Sequence, residues 1–141
     1  TGKAAIAEFN YGRQEQGLEF TRMMCRAVGH AMPGAAPEGM DPYGDLSKFR
    51  HFRSAHWNYL QLWSAAMIPE ALLWGILRIE PDAARNAATM TPRLPEGWPG
   101  VKFRNITIGN SRIDVTLDES GAKVTHVDGP ELKIEIKEHQ E

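Results

Sequence analysis

A single cysteine, Cys25, in 141 residues excludes an internal disulfide and a cysteine-rich zinc site. It suits a reducing compartment, so a cytoplasmic location is the expectation, with the periplasm left open. Charge of one sign is also scarce. A net charge of −2 exerts no long-range pull on nucleic acid or an anionic membrane, and no run of like charges forms a tail. The segment "TGKAAIAEFNYG" lacks the basic region and apolar run of a signal peptide. There is no initiator Met, and the expectation is a chain processed, trimmed or cut from a longer one. No phosphate-binding glycine motif, nucleophile elbow or spaced Ser/His/Asp set occurs. His51 and His56 stand five apart, off the four-residue spacing that aligns two ligands on a helix face, and no third ligand is evident. No metal and no cofactor are therefore expected.

What is present is a core-forming composition, 42% hydrophobic, on a chain of one-domain length. "KAAIAEF" reads as the end of a helix closed by Asn10-Tyr11-Gly12. In "GRQEQGLEFTRMMCRAVGHAM", Gly17, Phe20, Met24, Ala27, Val28 and Ala31 recur at three- and four-residue steps, an amphipathic helix with a broad apolar stripe. Cys25 is expected to be inert core there. Residues 32–54 hold three prolines and three glycines and read as a long loop, a length that is usually functional or disordered. Residues 60–79, "LQLWSAAMIPEALLWGILRI", are apolar all round a helical wheel. Such a helix would span about 30 Å, enough for a membrane. Gln61, Ser64, Pro69 and Glu70 within it favour a helix buried in protein, because a mid-span Glu is costly in lipid. Pro69 should kink the helix or restart it near residue 68. Two or three helices cannot cover such a surface, so the chain is expected to need neighbouring helices or to self-associate.

Beyond the connector "MTPRLPEGWPG" the period changes. "VKFRNITIG", "SRIDVTLD", "AKVTHV" and "ELKIEIKE" alternate apolar and polar residues between turn residues, which predicts an antiparallel β unit. The fold class is α+β: a helical part over 1–86, with a functional loop at about 32–56, and a β segment over 87–141.

Four stretches in one order carry a family resemblance: "AIAEFNYGRQEQGLEF", "PEGMDPYG", "QLWSAAMIPEALLWGILRIEPDA" and "LPEGWPGVKFRNITIGNSRIDVTL". They resemble the C-terminal end of bacterial glycosidases of the glycogen-debranching (amylo-α-1,6-glucosidase-like) kind. These are similar to a wider group built on an (α/α)6 toroid of six helical hairpins. The resemblance covers nearly all of this chain and a modest part of such an enzyme, and its most specific pieces are not catalytic signatures. It implies the terminal hairpins of a toroid followed by a small β unit, and an oligosaccharide or polysaccharide partner.

Glycoside hydrolysis usually needs two carboxyl groups flanking the scissile bond, about 6.5–9.5 Å apart in the inverting version. In the toroidal group one of them often comes from a late loop. By resemblance, Glu38 in "APEGMDPYG" matches the water-activating base, with Asp41 as the fallback. Gly39 and Met40 depart from the bulkier or aromatic residues that relatives often carry. The competing reading is a solvated acidic turn in which Asp41 starts a turn before Pro42. Neither Glu8 nor Glu70 has a loop setting suited to an acid, so the acid is expected outside this chain. Indoles stack on the C–H faces of sugars, which makes Trp63 and Trp57 candidates for substrate binding; for each, a core aromatic is the alternative. Trp74 reads as core, and Trp98 as an anchor for the β unit. Arg50, His51 and Arg53 form a polar rim or simply solvate the loop. A non-catalytic carbohydrate-binding or interaction module remains the alternative function.

Overall fold

In this computed structural model the described residues are 1–31 and 62–138, and they form two compact units, Thr1–Gly75 and Ile76–Glu141. The first unit contains α1 (Gly2–Asn10), α2 (Gln14–Ala31) and α3 (Leu62–Leu72). The helix stop at Asn10-Tyr11-Gly12 is where the sequence put it: the Tyr11 amide bonds back to Ala7, and Gly12 takes φ +75°. On α2, Gly17, Leu18, Thr21, Met24 and Ala27 are buried at helical spacing. The buried Thr21 hydroxyl donates to its own helix at the Gly17 carbonyl, 2.8 Å away. The opposite face carries Glu19 within 3.6 Å of Arg22 and 3.7 Å of Arg26. Cys25 is exposed, which corrects the expectation of inert core. One residue is about 100° of helical rotation, enough to carry it from buried Met24 onto the charged face.

The ring of Phe9 organises this unit. A Cβ built on Gly17 would lie 2.7 Å from it, and a Cβ on Gly75 would collide with the same ring. Phe9 is buried at 2% exposure because glycines of α2 and of the turn after α3 leave room for it. At its other end, α1 places Gly2 against the Met67 side chain, again closer than any Cβ permits. α3 does not restart near residue 68. It runs through Pro69 and widens into a single π turn over Leu73–Leu77. Pro69 removes the donor that the Ala65 carbonyl would have had, and both residues are exposed.

The second unit opens with the last helical residues. The amides of Thr91 and Arg93 donate to the carbonyls of Leu77 and Ile76, at 3.1 and 2.7 Å, satisfying groups a helix end leaves open. β1 (Glu80–Asp82) and β2 (Ala87–Met90) form a short antiparallel pair around a 3-10 turn at Ala83–Arg85. Residues 76–86 fall within this unit. β3 (Val101–Ile108), β4 (Ser111–Asp118) and β5 (Gly121–Asp128) form the expected antiparallel sheet, in that order. Ser111, Ile113, Val115 and Leu117 alternate into the core.

β6 (Lys133–Ile136) departs from the expected antiparallel unit. It pairs parallel with β2, in a second three-stranded sheet ordered β1-β2-β6. Alternation tells which residues share a face and says nothing of which strand they pair with. The Asp128-Gly129-Pro130 turn sends the chain away from β5. Gly129, at φ +81°, presses on the Asn110 backbone where a Cβ would collide. Asn86 then joins the pieces: left-handed at φ 50°, it accepts from the Lys133 amide at 3.0 Å and donates through Nδ2 to the Glu131 carbonyl at 2.6 Å. The fully buried Ser111 hydroxyl donates to the Pro130 carbonyl at 2.5 Å, with Asn86 Oδ1 3.2 Å away.

Candidate functional site

The candidates Glu38, Asp41 and Trp57 stand in a segment that α2 precedes and α3 follows. Phe9 meets Gly17, so α2 runs back antiparallel to α1; Gly2 meets Met67 and Phe9 meets Gly75, so α3 runs parallel to α1. From the level of the Phe9 ring, α2 extends from Gly17 to Ala31 and α3 extends back from Gly75 to Leu62. Each stretch is roughly 20 Å at about 1.5 Å per residue. Ala31 and Leu62 are the described residues that border the segment 32–61. The segment between them carries the residues singled out for chemistry.

Glu38, Asp41 and Trp57 lie outside the described residues, as do Arg50, His51, Arg53 and His56. Trp63 sits in the first turn of α3, and its side chain is likewise outside what is described. Trp74 is half-buried in the π turn. Trp98 closes a tight turn, its amide donating to the Pro95 carbonyl at 3.1 Å with Gly97 at φ +74°. That geometry is a type II turn, and glycine is the residue that takes its third position without strain.

The other helical carboxylates are occupied. Glu70 accepts from Lys3 Nζ at 2.6 Å. Glu8 Oε2 is buried 2.6 Å from Arg13 Nε, and the Arg13 guanidinium lies 5.5 Å from the exposed Tyr11 ring. These ion pairs tie α1 to α3 and brace the α1–α2 turn. In the second unit, Asp114 accepts the Asn105 amide at 2.9 Å, where Asn105 sits left-handed in the β3 bulge. Asp118 accepts from the Ser120 hydroxyl at 2.5 Å and the Ser120 amide at 2.8 Å; these two bonds, the hydroxyl first, hold its carboxyl below the ordinary 3.8. Both arrangements shape turns and bulges. Among the described residues no group of three or more His, Cys, Asp or Glu could hold a metal ion, and no helix is long and apolar enough to cross a membrane.

Residues 83–140 match the family model for glycosyl hydrolase family 65, C-terminal domain. The match supports a fragment of a glycosyl hydrolase. It begins at the 3-10 turn before β2 and runs past β6, so it takes in both parallel partners and the whole antiparallel sheet. α1 to α3 lie ahead of it, and it carries no debranching specificity. No curated protein matches the chain. Asn86 and Ser111, which join β2, β4 and β6, had no motif to announce them. The only hint in the sequence was an asparagine beside a turn, a residue type that tolerates the left-handed region.

Proposed function

We propose that this chain is the C-terminal part of a glycoside hydrolase acting on α-linked glucose-containing or related saccharides. In this reading residues 1–75 supply terminal hairpins of an (α/α)6 toroid. The observation that carries the proposal is the family match over residues 83–140, which follows the helical unit in sequence. Glu38 on that loop is the general base that activates water, with Asp41 as its substitute if the register differs. Trp63 and Trp57 stack on sugar rings. The acid lies outside this chain, consistent with Glu8 and Glu70 being held in ion pairs. The remainder of the toroid, or a second copy, covers the apolar start of α3, where Leu62 is 87% exposed. A cytoplasmic setting completes the proposal, with neither nucleic acid nor membrane as partner. Glycogen-debranching specificity is its narrower form, resting on the resemblance of the helical stretches.

The test is Glu38→Gln in the complete enzyme, with Asp41→Asn beside it. Removal of a general base lowers turnover by about 10²–10⁴-fold. Substrate affinity changes little, because the lost interaction acts mainly in the transition state. Near-full turnover in Glu38→Gln, with a large loss in Asp41→Asn, moves the base to Asp41. Near-full turnover in both removes the loop from the chemistry. A panel of α-1,6- and other α-linked substrates tests the narrower form. A second reading, a non-catalytic carbohydrate-binding or interaction module, draws on the matched segment being a C-terminal domain and on the ion-paired state of the described helical carboxylates. Saccharide binding by the isolated chain, with the complete enzyme indifferent to Glu38, would favour it.

A further inference from the structure

Asp128-Gly129 is the one Asp-Gly pair in the chain, and the sequence has no Asn-Gly. An aspartate can be attacked by the amide nitrogen of the residue that follows it. Glycine there is the most permissive partner, because no Cβ hinders the approach. The structure brings these two groups together. The Gly129 amide donates to Asp128 Oδ1 at 2.8 Å, while Arg112 holds the other oxygen, Oδ2, at 3.3 Å. The carboxyl is thereby kept beside the nitrogen that must close the ring. The Asp128 side chain is 71% exposed, so water reaches it freely.

We propose that Asp128-Gly129 is a self-modification site, at which the chain cyclises to a succinimide and reopens in part as isoaspartate. In the first step the Gly129 nitrogen bonds to Asp128 Cγ and loses its proton. A Cγ–O bond breaks, and that oxygen leaves as water with the proton from nitrogen and the proton of the carboxylic acid form. In the second step water adds to one of the two imide carbonyls. Opening at one restores aspartate; opening at the other routes the main chain through Cβ and leaves the former α-carbonyl as the free carboxyl. No oxidant, reductant or cofactor enters.

The position gives the reaction a structural consequence. Isoaspartate adds a backbone carbon at the last rung of β4–β5, where Arg112 pairs with Asp128. It displaces Gly129 from the Asn110 backbone, and Pro130 from the buried Ser111 hydroxyl. The link that leads β6 to its parallel partner is therefore loosened by a change that leaves the mass unaltered.

Asp114 and Asp118 are internal controls. Their Oδ1 atoms accept amides from Asn105 and Ser120, not from the residue next in sequence. The experiment incubates the folded chain for weeks at neutral pH and physiological temperature. Isoaspartate is then quantified peptide by peptide with an isoaspartyl methyltransferase and mass spectrometry. The expected result is several-fold more isoaspartate in the Asp128 peptide than in the Asp114 or Asp118 peptides. Asp128→Glu, which would need a six-membered ring, should lose the signal while keeping a carboxylate for Arg112. Equal levels in the three peptides overturn the proposal. So does isoaspartate that appears at Asp128 only when the chain is unfolded in urea.

Discussion

The helical unit and the strand unit reach their cores by different means. In residues 76–141 the burial is local and periodic: β4 alone sends Ser111, Ile113, Val115 and Leu117 inward on alternate positions, flanked by hairpins whose turns lie within a few residues. In residues 1–75 the burial depends on close approach between distant segments. Phe9 needs Gly17 and Gly75 to lack side chains, and Gly2 needs the same against Met67. The start of α3 leaves Leu62, Ala65 and Ala66 exposed, although those residues are as apolar as the buried Ala71 further along the same helix. A helix that is apolar all round announces that it will be covered, and does not say by what. A strand pair carries its own partner in the next dozen residues.

The contrast can be broken by substitutions that act on one unit at a time, read by hydrogen exchange resolved along the chain. The largest effect is expected from Phe9→Ala, which empties the space between α1, α2 and the π turn. Burying a phenylalanine and then removing it costs about 3–5 kcal/mol. Exchange should accelerate throughout α1 and α2 while β3 to β5 keep their protection; equal acceleration in both units would show that they fold as one.

Ser111→Ala makes the reciprocal cut. It leaves the Pro130 carbonyl without its donor, and the net loss of such a hydrogen bond costs about 0.5–1.5 kcal/mol. The loss should appear in β2, β4 and β6 and spare α1 to α3. Gly17→Ala sharpens the comparison, because two effects oppose each other. Alanine gains about 1 kcal/mol of helix propensity over glycine, and overpacking costs about 1–3 kcal/mol. Phe9 is confined by Gly75 on its other side and cannot retreat, so the expected outcome is a net loss, measured as a lower midpoint of thermal melting. A rise in that midpoint would mean the ring moves aside.

Lys3→Met should do little. The pair with Glu70 is short, but Lys3 is 70% exposed, and exposed ion pairs contribute at most about 1 kcal/mol. Asp118→Asn gives the smallest change at neutral pH and a distinctive pH dependence. The folded carboxyl is held below 3.8, so its contribution is present above that value and is lost as pH falls through the lower folded value. The urea midpoints of wild type and Asp118→Asn should therefore converge below about pH 4 as the carboxylate takes its proton. A gap that persists to lower pH would assign the effect to turn geometry instead of charge.

Much of this architecture was legible from residue types. The stop at Asn10-Tyr11-Gly12, the stripe on α2 and the three strands of the antiparallel sheet follow from period and turn chemistry. β1 and β2 were not legible, because "EPDAARNAATM" has too few alternating positions to tell a short strand from a helix end. Cys25 was misplaced by one step of helical rotation. The candidate site rests on resemblance alone: "APEGMDPYG" has no period, and Glu38, Asp41 and Trp57 lie outside the described residues.

Local chemistry in the sequence determined the α+β class, the change of period near residue 100, the capping glycines and the strand faces. These depend on backbone dihedrals and side-chain alternation, which neighbouring residues set among themselves. Tertiary structure decided three things. β6 joined β2 in parallel, because strand alternation specifies a face and leaves the partner to long-range backbone hydrogen bonds. Asn86 and Ser111 became a junction, because their partners stand at residues 130 to 133 or on another strand. α3 passed through Pro69 and brought Gly75 against Phe9, because a ring on one helix and a missing side chain on another complement each other only once the chain has folded back on itself.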